Sequence, residues 1–184
     1  RDFGFYFVEI KDPEITKSEI EEKGVKKEIY KIRLVIVEGD KYKFGGINIT
    51  GNKIFTNDEL KANMRLREEQ TFNYSKYQDD IFSLRRKYND SGYVQTIISD
   101  ELKIDKEKKI ISAVINVIES KQSYIEAIYF RGNEKTKTYV LERTVLTEVG
   151  EIFNSSKMMD SLIMLYNLGY FSNVNYEIQQ GSAP

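Results

Sequence analysis

The chain repeats itself at a fixed distance. Val37-Glu38, Ile47-x-Ile49-x-Gly51-Asn52 and Phe72-Asn73 recur as Ile118-Glu119, Ile128-x-Phe130-x-Gly132-Asn133 and Phe153-Asn154, each 81 positions later. A constant offset over so long a stretch means one structural unit used more than once. A tandem unit favours a binding or scaffold role over a single active-site cleft, and it divides 184 residues into small modules rather than one large domain.

Composition removes several function classes. Cysteine and histidine are both absent. That excludes a disulfide framework and thiolate metal site, and removes the commonest general base and metal ligand. The net charge of −1 gives no global field toward nucleic acid or acidic lipid. No run of eighteen apolar residues is present, so no segment reads as a membrane-spanning helix.

The middle unit sets the pattern. Residues 42–50 read as a strand, with Phe44, Gly46, Asn48 and Thr50 on one face and Gly45, Ile47 and Ile49 on the other. Gly51-Asn52 marks a turn, because both residues tolerate left-handed backbone. Thr56 followed by Glu59 is a capping box that starts a helix near Asn57. Leu60, Met64 and Leu66 form its apolar face. Ser75 followed by Gln78 reads as a second capping box. The helix after it carries Tyr74, Tyr77, Ile81, Leu84 and Tyr88 at helical spacing and stops at Ser91-Gly92. Residues 93–104 read as a strand of mixed polarity, 105–108 as a charged turn, and 109–119 as a nearly unbroken apolar strand. The order is β-α-α-β-β.

The last unit follows the same course. Strands are expected at 124–131 and 170–178, helices at 138–147 and after Asn154 or Ser155, with Met158, Met159, Leu162, Leu165 and Tyr166 inward. Within its second helix the offset falls from 81 to 77, a deletion of about one helical turn that keeps the buried stripe in phase. The final apolar strand is missing. The first unit has the opposite defect: 5–11 reads as a penultimate strand, 12–27 as a long charged connection with Pro13 and Gly24, and 28–37 as the last strand. The domains are therefore 1–41, 42–121 and 122–184. Gly39-Asp40-Lys41 and Ser120-Lys121-Gln122 are all that join them. Three residues span only about 10 Å, so neighbouring modules must touch.

The β-α-α-β-β order, the Val37-Glu38-Gly39 strand end, Ile47 to Asn52, the helix exit from Tyr88 to Tyr93, and the copies at Ile118-Glu119, Ile128 to Asn133 and Tyr166 to Tyr170 resemble polypeptide-transport-associated (POTRA) domains. The resemblance implies an α+β fold, with two helices packed on a three-stranded mixed sheet in each module. The tandem Gly-Asn spacing looks most like the periplasmic arm of BamA-type outer-membrane assembly factors. It implies a non-enzymatic part of a bacterial outer-membrane protein that receives unfolded outer-membrane proteins, docks accessory lipoproteins and precedes a C-terminal membrane barrel. The alternative is the arm of a translocation-and-assembly or two-partner secretion transporter. No cofactor, metal or nucleic acid is implied.

The resemblance also places the last strand in the centre of the sheet and the penultimate strand at an edge. An edge strand leaves backbone N–H and C=O groups unpaired, and a client strand can add to them. Gln95, Thr96, Ile97, Ile98 and Ser99 are the expected client-binding edge. Other features have blander readings. Phe3, Phe5, Tyr6 and Phe7 are expected to fill a small core, and Met158, Met159 and Met164 to pack on the second helix. Asp58-Glu59 and Asp79-Asp80 are expected to cap or be solvated near helix starts, and Arg85-Arg86-Lys87 to be a solvated face.

Overall fold

The computed structural model describes residues 2–22 and 25–182. Its contacts divide the chain into two compact units. One comprises Arg1–Ile47, Arg65–Gln78 and Leu102–Ala113; the other Asn48–Met64, Asp79–Glu101 and Val114–Pro184. The division runs through the middle repeat, each end of which is tied to a neighbouring repeat.

That repeat consists of strand β5 (Lys43–Thr50), helices α1 (Asn57–Lys61) and α2 (Tyr74–Asp90), and strands β6 (Ile97–Asp105) and β7 (Ile110–Ile118). The sheet order is β5-β7-β6. The most apolar strand is central because only there are both edges paired. Along β5 and β7 the partners climb together: Lys43 N–H donates to the Lys109 carbonyl (2.9 Å) at one end, and the Thr50 hydroxyl donates to the Ile115 carbonyl (3.4 Å) at the other. These two strands are therefore parallel, whereas β6 and β7 form a hairpin. The charged turn between them is closed by the Lys108 N–H on the Asp105 carboxylate (2.9 Å), with Lys109 left-handed at φ 55°. Ile111, Ala113, Ile115 and Val117 are buried, the alternation expected of a strand with one face on the core. Tyr77, Ile81, Leu84 and Tyr88 cover them from α2, and Leu60, Met64 and Leu66 from α1 and its exit.

Four details depart from the sequence reading. The buried face of β5 changes phase: Phe44 and Gly46 are buried, then Ile47 and Ile49. Gly46 has φ +94°, and a left-handed residue shifts the side-chain alternation by one, as in a bulge. Residues 93–96 are a turn rather than strand, closed by the Thr96 N–H on the Tyr93 carbonyl (3.2 Å). The cap of α2 is Asn73, whose side chain accepts from the Lys76 N–H (2.7 Å); Ser75 lies inside the first turn and has another partner. Asp80 is buried, not solvated. Its position three residues from Tyr77 and four from Leu84 places it on the covered side of the helix.

The first repeat contributes β1 (Glu9–Ile10), β2 (Glu14–Glu22), β3 (Val25–Arg33) and β4 (Ile36–Val37). The segment read as a charged connection is a long antiparallel hairpin, β2 with β3, in register from Glu14–Arg33 to Glu22–Val25. Cross-strand pairs explain why so polar a stretch forms strands: Ile15 faces Ile32, Lys17 and Glu28 form an ion pair at 2.6 Å, and Lys17 lies over the ring of its partner Tyr30 (5.9 Å). Gly24 lies outside the described residues. The strand expected over 28–37 is present as β3 to Arg33 and, after a break, as β4; that expected over 5–11 shrinks to β1, which pairs with β4. By the repeat these match the start of β6 and the end of β7.

The third repeat has helices α3 (Thr138–Glu142) and α4 (Ser155–Asn167). Helix α3 ends earlier than the expected 147. Segments 124–131 and 170–178 carry no strand, only a bridge from Tyr124 to Ile152. The middle repeat supplies the reason. Both outer strands of the middle repeat pair with its central last strand, and among the described residues the third repeat has no such strand. Without it neither outer segment has a ladder. Met159, Met164 and Tyr166 are correspondingly exposed instead of inward, while Leu165 and Ser161 are buried.

Candidate functional site

The repeated Gly-Asn and Val/Ile-Glu motifs meet in space. Gly51 is left-handed (φ +83°), and a Cβ there would collide with the Val117 carbonyl oxygen. The Asn52 side chain donates to the Phe55 carbonyl (2.8 Å), and Asn133 repeats this with the Thr136 carbonyl (2.9 Å). Each asparagine folds the loop that delivers its first helix; the first is then closed by the reciprocal Thr56–Glu59 capping box. Glu119, at the end of β7, accepts from the N–H groups of Lys53 (2.8 Å) and Ile54 (2.9 Å) and from the buried Tyr88 hydroxyl (2.9 Å). Burial opposes its ionisation, but these donors outweigh that and hold its carboxyl below the ordinary glutamate value. Burial, then the carboxylate, push the Tyr88 phenol up. The motifs are an internal anchor, not a ligand site.

The sheet has two edges of unlike availability. The outer side of the start of β5 is taken by 69–72: Phe44 N–H donates to the Gln70 carbonyl (2.8 Å), Glu69 N–H to the Phe44 carbonyl (2.9 Å) and Phe72 N–H to the Tyr42 carbonyl (2.9 Å). Strand β6 is the other edge. Arg85 of α2 reaches it, donating to the Ile98 carbonyl (3.2 Å) and lying 3.6 Å from the Asp100 carboxylate. Phe82, one turn earlier on the same face of α2, is 66% exposed, and Ile97 is 60% exposed.

The joints are the third feature, and they are built twice from the same parts. At the first, Tyr42 N–H donates to the Gly4 carbonyl (2.9 Å). The Asp2 carboxylate accepts from the Ser75 N–H (2.9 Å) and hydroxyl (2.8 Å), and Asn73 donates to the Asp2 carbonyl (2.9 Å). At the second, Ser123 N–H donates to the Gly92 carbonyl (2.8 Å). The Asp90 carboxylate accepts from the Ser156 N–H and hydroxyl (both 2.8 Å), and Asn154 donates to the Asp90 carbonyl (2.8 Å). In each case a carboxylate from one repeat caps the second helix of the next. Gly4 and Gly92 are left-handed, and a Cβ on them would sit 2.7 Å from Thr71 Cγ2 and 2.6 Å from Ile152 Cγ2, equivalent positions of the repeat. The two Ser hydrogen bonds hold the Asp2 carboxyl below its ordinary value.

The family model of the surface antigen variable number repeat, POTRA, matches residues 42–120 and 123–183. The chain belongs to the POTRA family. Among curated proteins it is 35% identical over 147 residues to a putative outer membrane protein assembly factor of Treponema pallidum (strain Nichols), covering 80% of this chain and 18% of that protein. It is 30% identical over 144 residues to the outer membrane protein assembly factor BamA of Buchnera aphidicola subsp. Acyrthosiphon pisum (strain APS), covering 78% and 23%. It thus spans about a fifth of the length of these relatives. Among solved structures, POTRA3-5 of Haemophilus influenzae BamA superposes with a TM-score of 0.78 at 18% identity, covering 100% of this chain and 70% of that one. BamA of Haemophilus ducreyi lacking POTRA domains 1-3 superposes at 0.67 and 18% identity, covering 77% and 27%. The fold is that of tandem POTRA modules, and the sequence similarity is to BamA-type assembly factors.

On this POTRA framework the expected edge residues separate. Ile97, Ile98 and Ser99 lie in β6. Gln95 and Thr96 lie in the preceding turn, where the Thr96 hydroxyl accepts from the Ser120 N–H (3.2 Å). Of the linker residues, Gly39 is left-handed (φ +72°), Asp40 pairs with Lys109 (2.9 Å), and Lys41 lies over the Phe5 ring (5.0 Å). Ser120 donates from its hydroxyl to the Lys121 carbonyl (3.1 Å), and Gln122 donates to the Ser91 carbonyl (2.9 Å). Arg85 and Lys87 are more than a solvated face: Lys87 donates to the Glu59 carbonyl (2.8 Å) and lies over the Phe55 ring. Phe3 is 79% exposed and Phe7 44% exposed, so these two do not fill a core, whereas Phe5 and Tyr6 are half-buried. Sequence reasoning missed Phe82, Arg85 and the Asp2/Asp90 caps. The only signal for Phe82 was its position off the apolar stripe; for the caps it was an Asp-x-Gly at 2–4 repeated at 90–92. Among the described residues no group of acidic side chains is placed to hold a metal ion, and no helix is long and apolar enough to cross a membrane.

Proposed function

We propose that this chain is part of the periplasmic arm of a BamA-type assembly factor, a non-enzymatic scaffold attached to an outer-membrane barrel. It binds unfolded outer-membrane proteins by strand addition at β6 and carries surfaces for accessory lipoproteins. The observation that supports this reading is the asymmetry of the sheet: the start of β5 is covered by 69–72, and β6 is the opposite edge. Strand addition reads backbone before side chains, which suits a handler of many sequences. The site is Ile97, Ile98 and Ser99 with Phe82 and Arg85 beside them on α2; Gln95 and Thr96 form its entrance. About five hydrogen bonds at about 0.5–1.5 kcal/mol each, less the cost of ordering an extended client, give weak, reversible binding. Hand-over along an arm requires that weakness.

A photo-crosslinker at Ser99 tests the proposal. It should capture an unfolded outer-membrane protein, and Ile97→Pro, which removes a ladder donor, should abolish capture while the melting temperature stays high. Unchanged capture by the proline variant would refute strand addition at β6.

A further inference from the structure

We propose that Asp90 is the lock of the second joint, and that the first joint does not depend on its counterpart Asp2. Each joint lies within one compact unit, the first in Arg1–Ile47 with Arg65–Gln78 and Leu102–Ala113, the second in Asn48–Met64 with Asp79–Glu101 and Val114–Pro184.

The choice of residue is the first argument. Asp90 is the last residue of α2, where the helix dipole disfavours a negative charge. Its own helix gains nothing from it. Its carboxylate instead meets the first turn of the thirteen-residue α4, where the dipole favours it. Asp90 therefore serves the next module.

What surrounds each carboxylate is the second argument. At the first joint Tyr6 packs edge-on against Phe72 (5.9 Å between centroids) and Tyr74 (6.5 Å), and Phe7 against Tyr42 (5.8 Å). Lys106 lies over the Phe7 ring (5.3 Å). These contacts run between the first and middle modules and brace them without the carboxylate. The repeat places Val94, Gln95, Ser123 and Ser155 where the first joint has Tyr6, Phe7, Tyr42 and Tyr74; of the five rings only Phe72 has an aromatic counterpart, Phe153. An open cleft of about 560 Å³ lies beside Asp90, Gln122 and Lys157, against about 390 Å³ beside Asp2, Lys41 and Lys76. The hydrogen bonds of Asp90 are partly buried and those of Asp2 exposed, so the second latch is the stronger electrostatically. The first joint thus has an aromatic brace and a weaker latch; the second has a stronger latch, with the Gln122 bond to the Ser91 carbonyl (2.9 Å) in place of that brace.

The chain has no native cysteine, so spin-label pairs can be introduced directly. Asn63→Cys with Asp160→Cys spans the second joint, and Glu9→Cys with Arg67→Cys the first. The account expects Asp90→Ala to widen the second distance distribution at least twofold, and Ser156→Ala, which removes only the hydroxyl donor, to widen it in the same sense by less. Asp2→Ala should leave the first distribution unchanged. Grafting the brace, Gln95→Phe with Ser123→Tyr in the Asp90→Ala background, should narrow the second again. Equal widening by Asp2→Ala and Asp90→Ala would overturn the proposal, as would no widening by Asp90→Ala and Ser156→Ala, or a graft that narrows nothing.

Discussion

Removing the Glu119 side chain isolates the anchor that joins the repeat's two signature motifs. Three donors converge on one carboxylate oxygen: the Lys53 and Ile54 amides at 2.8 and 2.9 Å and the Tyr88 hydroxyl at 2.9 Å. Hydrogen bonds to a charged group contribute about 1.5–3 kcal/mol each when removed singly. They share one acceptor, so the sum is well below three times that. Tyr88 is 1% exposed, and its hydroxyl would be left without water. Glu119→Ala should therefore destabilise the middle module by about 3 kcal/mol, and Glu119→Gln, which keeps an acceptor and loses the charge, by about 1.5 kcal/mol. Native-state amide exchange reads this locally: protection of the Ile115 and Val117 amides should fall roughly 150-fold in the alanine variant and roughly tenfold in the glutamine variant. The carboxyl is held below its ordinary value in the folded state. Its contribution is thus fully present above the ordinary glutamate pKa and is lost as pH falls through the lower folded value. The gap between wild type and Glu119→Gln should close over that acidic window. A change below twofold at pH 7, or a gap that grows on acidification, would refute the reasoning.

Further outcomes follow from the same geometry. Gly92→Ala should cost more than 1 kcal/mol in thermal unfolding, because its φ of +86° strains an L-residue and its Cβ would meet Ile152; a neutral result would contradict the close approach. Thr56→Ala should cost about 1 kcal/mol through loss of the capping box, and Glu59→Gln less.

The modular plan was legible because it rests on signals that survive without tertiary context. The 81-residue offset, the Thr56–Glu59 box, the Tyr77-Ile81-Leu84-Tyr88 stripe and the apolar run of β7 each encode a local preference that the fold keeps. What was not legible depends on neighbours. Ser75 looks like a helix cap by type, but Asn73 holds that place and Ser75 is claimed by Asp2, seventy-three positions away. The polarity of 14–33 hides a hairpin whose pairs satisfy one another across strands. The third module's strands were expected from their own sequences, yet a strand needs a partner, and theirs would be the central one. At the candidate site the edge followed from the strand order that the POTRA resemblance implies, whereas Arg85 and Phe82 depend on which side of α2 lies beside β6.

The most direct test of the account is a titration of the ¹⁵N-labelled chain with an extended peptide from an outer-membrane β-barrel strand. Amides of Ile97 to Asp100 should shift in fast exchange and show cross-strand contacts to the peptide, while the amide of Phe44, held by the Gln70 carbonyl, stays unchanged. Cross-strand contacts at β5, or no peptide contact at β6, would contradict it.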